Sequence, residues 1–289
     1  MIPSLPRSVG ARLSTATCVA AFFLFLFVPL AVVAVFAFNN ANYPAPPWRG
    51  FTLDWFIGGG SSGRIGLFAD GPLLRSIGTS VVVAAWVTFF SVLVGTVNAF
   101  LLERVHFRGK SFLSLLMLAP LVIPGVILGI SILAFASRLA QFADDVWGLD
   151  LDFLRPGLPL VVAGQFAYIV SIATLTIAAR LKRFDTSLED AAFNLGATRA
   201  AVLRTITLPW LRPALLGAAA LAFLMSFENF NTTLMLVGSD PPLTIMMYGR
   251  MREGASPVLN AVSLLLMVAS ALLALVFLRG PARAEPRGA

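Results

Sequence analysis

Six stretches of this chain run for 20 residues or more almost without charge: Cys18–Phe38, Ile77–Leu102, Ser111–Ala136, Gly157–Ala179, Ala214–Val237 and Pro257–Leu278. Crossing the hydrocarbon core of a bilayer, roughly 30 Å thick, takes about 20 helical residues. Lipid offers backbone N–H and C=O groups no partner, so a spanning segment must be a helix or part of a closed barrel. These runs are too long for barrel strands and do not alternate, which leaves helices. Composition agrees, with 58% hydrophobic residues, 12% charged ones and a mean hydropathy of +0.87, beyond what a soluble globular domain carries. The expected fold class is an all-α integral membrane protein with six transmembrane helices. Two arginines, Arg7 and Arg12, precede the first run. A cleaved signal peptide has an apolar region of only about 7 to 15 residues, so the first run is expected to stay as a helix.

Charge sets the expected orientation, because cytoplasmic segments retain the positive residues. With the N-terminus inside, 14 of the 21 Lys and Arg residues fall on the inner side and seven on the outer, whereas the acids divide five inside and eight outside. Both termini are therefore expected in the cytoplasm, with segments 1–17 and 279–289 as tails and 39–76 as an outer loop. Residues 77–278 form the expected five-helix core, with a cytoplasmic excursion at 180–213. The high isoelectric point, about 10.7, follows from this topology and not from a nucleic-acid surface.

Other chemistries find little to work with. Arg108-Gly109-Lys110-Ser111 ends like a phosphate-binding loop, but Arg104 stands where its first glycine is required. Gly58–Gly63 satisfies G-x-G-x-x-G with no strand before it and no helix after it, which reads as a loop. Cys18 is the only cysteine and His106 the only histidine, so neither a disulfide nor a metal-ligand cluster is expected. Within the third run, Gly125 and Gly129 stand one turn apart, a spacing that lets another backbone approach closely.

The charged excursion is organised. Ser187 with Asp190 three residues on has the form of a capping box. Leu188, Ala191, Ala192 and Leu195 follow at helical spacing, and Gly196 is a natural helix stop. Thr198 is suited to cap a second short helix before Pro209 and Pro213. Periodicity alone leaves open a helix lying on lipid.

The residues themselves are more specific. Asp190-Ala191-Ala192, three residues, Gly196, and later Ile206-Thr207-Leu208-Pro209 resemble the Glu-Ala-Ala signature of the permease subunits of binding-protein-dependent ABC importers. Asp190 departs from that signature's glutamate, but Glu189 precedes it and the spacings agree. The resemblance implies the type I importer permease fold in a bacterial inner membrane. It also implies that Glu189, Asp190, Ala191, Ala192, Gly196, Leu208 and Pro209 belong to the element that couples to a separate cytoplasmic ATPase. The implied partners are a second, different permease chain, two copies of that ATPase and an extracytoplasmic substrate-binding protein. ATP and Mg would be used by the ATPase, and this chain would be neither an enzyme nor a cofactor binder. Ser226–Phe230 and the run Pro241–Ser263 resemble the spermidine/putrescine permeases within the family.

One acid lies within the expected fifth span. Glu228 falls about 20 Å along it on helical geometry, close to the middle of the core, where a carboxylate costs about 2.5 to 3.5 kcal/mol on insertion scales. With Asn229, Asn231, Thr232 and Thr233 beside it, Glu228 is expected to line a translocation path suited to a cationic amine. Tyr168, Phe166 and Phe230 would supply aromatic faces. The alternative is a structural acid, paired or protonated within the bundle, among amide and hydroxyl groups that hold helices together. Polyamine import is the expected function. Another solute, such as iron, an anion, an opine or a phosphonate, remains an alternative, as does a stand-alone channel or secondary transporter.

Overall fold

The structure is a computed structural model and describes residues 9–59, 63–254 and 256–278. Residues 1–8 of the expected 1–17 tail, the expected tail 279–289 and part of the Gly58–Gly63 loop lie outside the described residues, and residues 9–17 are helical rather than a separate tail. Among the described residues twelve α-helices follow one another: α1 (Val9–Phe36), α2 (Asp54–Ile57), α3 (Gly71–Arg104), α4 (Lys110–Val122), α5 (Gly125–Trp147), α6 (Leu158–Leu181), α7 (Ser187–Asn194), α8 (Arg199–Val202), α9 (Leu208–Phe227), α10 (Thr233–Leu236), α11 (Leu243–Gly254) and α12 (Val258–Leu278). A π-helical turn, Leu203–Thr207, joins α8 to α9. Five helical segments are long and apolar enough to cross a membrane: α1, α3, α5, α6 and the continuous stretch Arg199–Phe227. Helix α4 and the apolar part of α12, Val258–Leu272, are shorter.

Two expected spans are interrupted. The run Ser111–Ala136 is not one helix: it breaks at Ile123–Pro124, between α4 and α5. Pro124 has no N–H and its ring disfavours helical geometry at the residue before it, and Ile123 is accordingly extended, with φ −76° and ψ 128°. The run Ala214–Val237 is also broken, since α9 ends at Phe227 and the chain unwinds before α10. Glu228 is thus not inside a helix but caps the end of α9.

The chain divides into two compact units, Arg75–Tyr248 and the remainder. In the larger unit α6 is the most buried helix, presenting Leu160, Val161, Gln165, Ile169, Ala173 and Ile177 to its neighbours. Helix α9 packs along it. In lipid no hydrophobic force drives helices together, so close approach of small residues has to. Ala99, Ala173 and Ala218 duly meet with Ile177 and Leu211 in one cluster. A Cβ added to Gly95 would sit 3.1 Å from the Ala173 Cβ.

In the smaller unit α1 lies alongside α12 and buries no residue, the form of a helix that meets lipid over most of its surface. The segment after it is tied by polar contacts. Trp55 Nε1 donates to the Asn39 carbonyl at 2.8 Å, and Arg64 donates to Asn40 Oδ1 at 2.6 Å and Asn42 Oδ1 at 3.0 Å while lying 4.8 Å over the Trp55 ring. Asp70 Oδ1 accepts the Leu73 N–H at 3.0 Å, so Asp70 caps the start of α3. Its carboxylate is also gripped by both terminal nitrogens of Arg250, at 2.5 and 2.8 Å. Hydrogen bonds from Arg250 hold the Asp70 carboxyl below the usual carboxylate range against the opposing effect of burial.

Candidate functional site

Two places in the larger unit carry concentrated polar chemistry. The first is the excursion between α6 and α9. Helix α7 begins at Ser187, but the capping differs from the expected box: Thr186 is the cap residue and its side chain makes no capping bond. Asp185 Oδ1 instead accepts the Ser187 N–H at 3.0 Å, and hydrogen bonds from Ser187 hold the Asp185 carboxyl below its ordinary value. The far end matches expectation. Gly196 takes φ +84°, with its N–H on the Phe193 carbonyl at 2.9 Å and the Ala197 N–H on Ala192 at 3.0 Å. This is the Schellman closure, which requires a left-handed residue at that point. Thr198 caps α8 as expected, accepting the Ala201 N–H at 3.3 Å.

Helix α7 and the turn after it leave their large apolar side chains uncovered, whereas Val202 of α8 is buried. Leu195 is 89% exposed, Leu188 49% and Phe193 42%, and Asp190, Ala191 and Gly196 are exposed as well. Ala192 and Leu208 are half-buried, and Pro209 is exposed. Glu189 behaves differently from the rest of the predicted set. Its carboxylate turns back into the protein, accepts the Thr207 hydroxyl at 2.6 Å and pairs with Arg104 at 3.3 Å.

The second place is where the two broken spans meet. Gly125 and Gly129 of α5 face the α9–α10 break: a Cβ on Gly129 would lie 2.9 Å from the Thr232 carbonyl oxygen, and one on Gly125 would lie 3.1 Å from the Asn231 Cβ. From the other side Gly164 of α6 meets the Leu236 side chain. The close approach expected of the glycine pair is thus made to the α10 segment.

The break satisfies its backbone with side chains, as it must away from water. Asn229 Oδ1 accepts the Thr233 N–H at 3.2 Å and the Thr233 hydroxyl at 2.8 Å, and the Asn229 carbonyl accepts the Thr244 hydroxyl at 2.9 Å. Asn229 Nδ2 donates to the Tyr168 hydroxyl at 2.5 Å. Behind it Gln165, 1% exposed, donates to Thr233 Oγ1 at 2.8 Å and accepts from the Ser226 hydroxyl.

A cavity of about 320 Å³ opens in front of this network, and Tyr168, Asn229, Asn231 and Thr232 contribute its polar wall. Pro120, Ile123 and Met225 are among its apolar lining. Three of the four residues predicted for the path, Tyr168, Asn229 and Asn231, therefore come together. Glu228 does not join them. It is exposed at the end of α9, outside the cavity lining. Sequence reasoning missed Gln165, a lone amide in an apolar run, whose partners Ser226 and Thr233 lie 61 and 68 residues away.

Residues 91–287 match the family described as binding-protein-dependent transport system inner membrane component. The chain belongs to that family. It is an ABC importer permease, a multi-pass membrane protein and not an enzyme, with ATP hydrolysis done by a separate ATPase. It is 28% identical over 265 residues to the putrescine transport system permease protein PotI of Escherichia coli K12, covering 91% of this chain and 89% of the relative. It is 28% identical over 260 residues to the spermidine/putrescine transport system permease protein PotC of the same strain, covering 90% of each. The sulfate transport system permease protein CysT of Salmonella typhimurium is 28% identical over 190 residues, covering 64% of this chain and 68% of the relative. Among solved structures, a bacterial ABC transporter involved in the import of the acidic polysaccharide alginate superposes with a TM-score of 0.67 over 91% of each chain. At 19% identity that likeness is one of fold.

Proposed function

We propose that this chain is one of two different permease subunits of an importer for polyamines, spermidine or putrescine, in a bacterial inner membrane. Both termini are cytoplasmic in this reading. Two copies of the ATPase, using ATP and Mg, act from below, and a binding protein delivers cargo from outside. This chain binds no cofactor of its own.

The observation that carries the coupling assignment is the knob formed by α7 and α8, which leaves Leu188, Phe193 and Leu195 uncovered. An apolar cluster with an adjoining acid, Asp190, on the charged side of a membrane protein is the form of a surface awaiting a soluble partner. Ala191, Ala192, Gly196, Leu208 and Pro209 complete that element in this reading. Closure of the ATPase pair draws the knobs together, and the path opens outward.

The cargo assignment is supported by the relatives named for putrescine and for spermidine/putrescine transport, which align over about nine-tenths of both chains. The cavity suits such a cargo, since its apolar wall accepts methylene groups while the Tyr168 hydroxyl and the Asn231 side-chain oxygen accept hydrogen bonds from ammonium ends. Glu228 supplies negative charge near its mouth. The shorter match to the sulfate permease favours a second reading, an anion importer.

Uptake of labelled putrescine, spermidine and sulfate, in cells carrying or lacking this chain with its cognate ATPase and binding protein, decides between them. Loss of polyamine uptake with the chain supports the first reading. Loss of sulfate uptake alone replaces it with the second.

A further inference from the structure

Glu189 stands apart from the rest of the knob. It lies in the first turn of α7, and its neighbour Asp190 points outward, yet its own side chain is only 20% exposed. It touches two elements distant in sequence: Arg104, the last residue of α3, through an ion pair, and Thr207, the end of the π-helical turn that leads into α9, through a 2.6 Å hydrogen bond. Arg104 is itself seated, 5.1 Å over the Phe184 ring, and Phe184 packs edge-on against Trp210 of α9 at 5.2 Å.

A knob that receives a push has to deliver it somewhere. Leu188 and Phe193 of α7 are exposed, and the peptide links on either side of α7 are turns, at Arg183–Thr186 and at Gly196–Thr198, whereas α8 runs on through the π turn into α9. Nonpolar surfaces slide past one another, whereas a charge-assisted pair sharing one carboxylate fixes both distance and direction. Glu189 is the side chain of α7 that the structure fastens to α3 and to the root of α9 at once. The π turn makes Thr207 available for this: its buried hydroxyl, 1% exposed, is aimed sideways at Glu189.

We propose that Glu189, clasped by Arg104 and Thr207, is a positioning residue that transmits displacement of α7 to α3 and α9, and is not itself a contact to the ATPase. The proposal rests on the docking reading above. It reassigns one residue of the predicted coupling set from the outer surface of the knob to its fastening.

The test uses the whole importer, reconstituted in proteoliposomes. Three quantities are measured: copurification of the ATPase, uptake of labelled putrescine per ATP hydrolysed, and the change on ATP binding in the distance between spin labels at Val97 of α3 and Leu221 of α9, both exposed. Glu189→Gln and Thr207→Val are expected to keep the ATPase bound at the native level. Both the α3–α9 distance change and the uptake per ATP should fall by about tenfold, the scale of one charge-assisted hydrogen bond. Exchanging the charges, Glu189→Arg with Arg104→Glu, should restore a large part of both.

An unaltered distance change in Glu189→Gln and Thr207→Val would overturn the proposal. So would loss of ATPase copurification in Glu189→Gln but not in Thr207→Val, which would make Glu189 a docking contact after all. Thr207→Val leaves the ion pair in place, so it reads the clasp even if the charge variants fold poorly. If Leu195→Asp, on the outer surface, leaves ATPase copurification intact, the docking reading itself fails and takes this one with it.

Discussion

The knob at Ser187–Thr207 and the break at Glu228–Thr233 are both interruptions of helix in the same chain, and they dispose of their side chains in opposite ways. The knob turns apolar residues outward and one carboxylate inward. The break turns amides and hydroxyls inward, closing a network in which Gln165, Asn229 and Thr233 satisfy one another. The knob's backbone is satisfied locally by a Schellman closure and a cap, which frees its side chains for another protein. The break spends its side chains on its own backbone, because nothing else in that position is available to do so. An interruption built for a partner and one built for a cavity are thus distinguishable by where their side chains go.

The largest effect is expected from Gly129→Val. The added carbons would meet the Thr232 carbonyl and the Met235 Cβ at about 3 Å, and neither has room to retreat. The variant should lose assembled protein altogether, measured as the yield of monodisperse protein in detergent. Normal yield would mean that α10 is not wedged against α5.

Gly196→Asp should spare assembly but abolish transport. A side chain at φ +84° is strained, and a further negative charge is added to the knob. Retained ATPase copurification and uptake in this variant would remove the distinction between the two interruptions from the knob's side.

A moderate effect is expected from Gln165→Leu. It removes the partner of the Ser226 hydroxyl and leaves the Thr233 hydroxyl only its bond to Asn229, at a cost of about 1–3 kcal/mol for a group left unsatisfied. A lowered Tm with the ATPase still bound is the expected result. An unchanged Tm would show that the network does not hold the break.

The smallest effect belongs to Glu228→Gln. Because Glu228 is exposed and outside the cavity lining, the change should raise the KM for putrescine by only about two- to fivefold, the scale of one exposed charge pair. A loss of a hundredfold would place the carboxylate in direct contact with cargo.

Much of this was legible in the sequence, and the residues that were not share a physical cause. The uncharged runs announced helices in lipid, Gly196 and Thr198 announced their roles in local backbone geometry, and Gly125 with Gly129 announced a close approach. Each of those signals depends on neighbours within one or two turns. The break at Pro124 was also written locally, as Ile-Pro-Gly, but counting uncharged residues is blind to it, since proline carries no charge. The break at Glu228 has no proline or glycine, and its backbone groups are satisfied by the Asn229 side chain and by Thr244, with Gln165 bonding the Ser226 and Thr233 hydroxyls from 61 and 68 residues away. Glu189 looked like part of the knob's surface because its partner Arg104 lies 85 residues away. Local chemistry can be read one residue at a time, whereas the fastening of one element to another depends on pairings that no single window contains.

The three glycines at 125, 129 and 164 have a mechanical corollary. By admitting the Asn231–Met235 stretch against α5 and the Leu236 side chain against α6, they key α10 between those two helices like a tongue in a groove, so the three elements travel as one block. Any rearrangement that opens the cavity must then be absorbed at the four-residue elbow Glu228–Asn231 and at the π turn below α9. The stiffness of one joint in this molecule decides which of the others can bend.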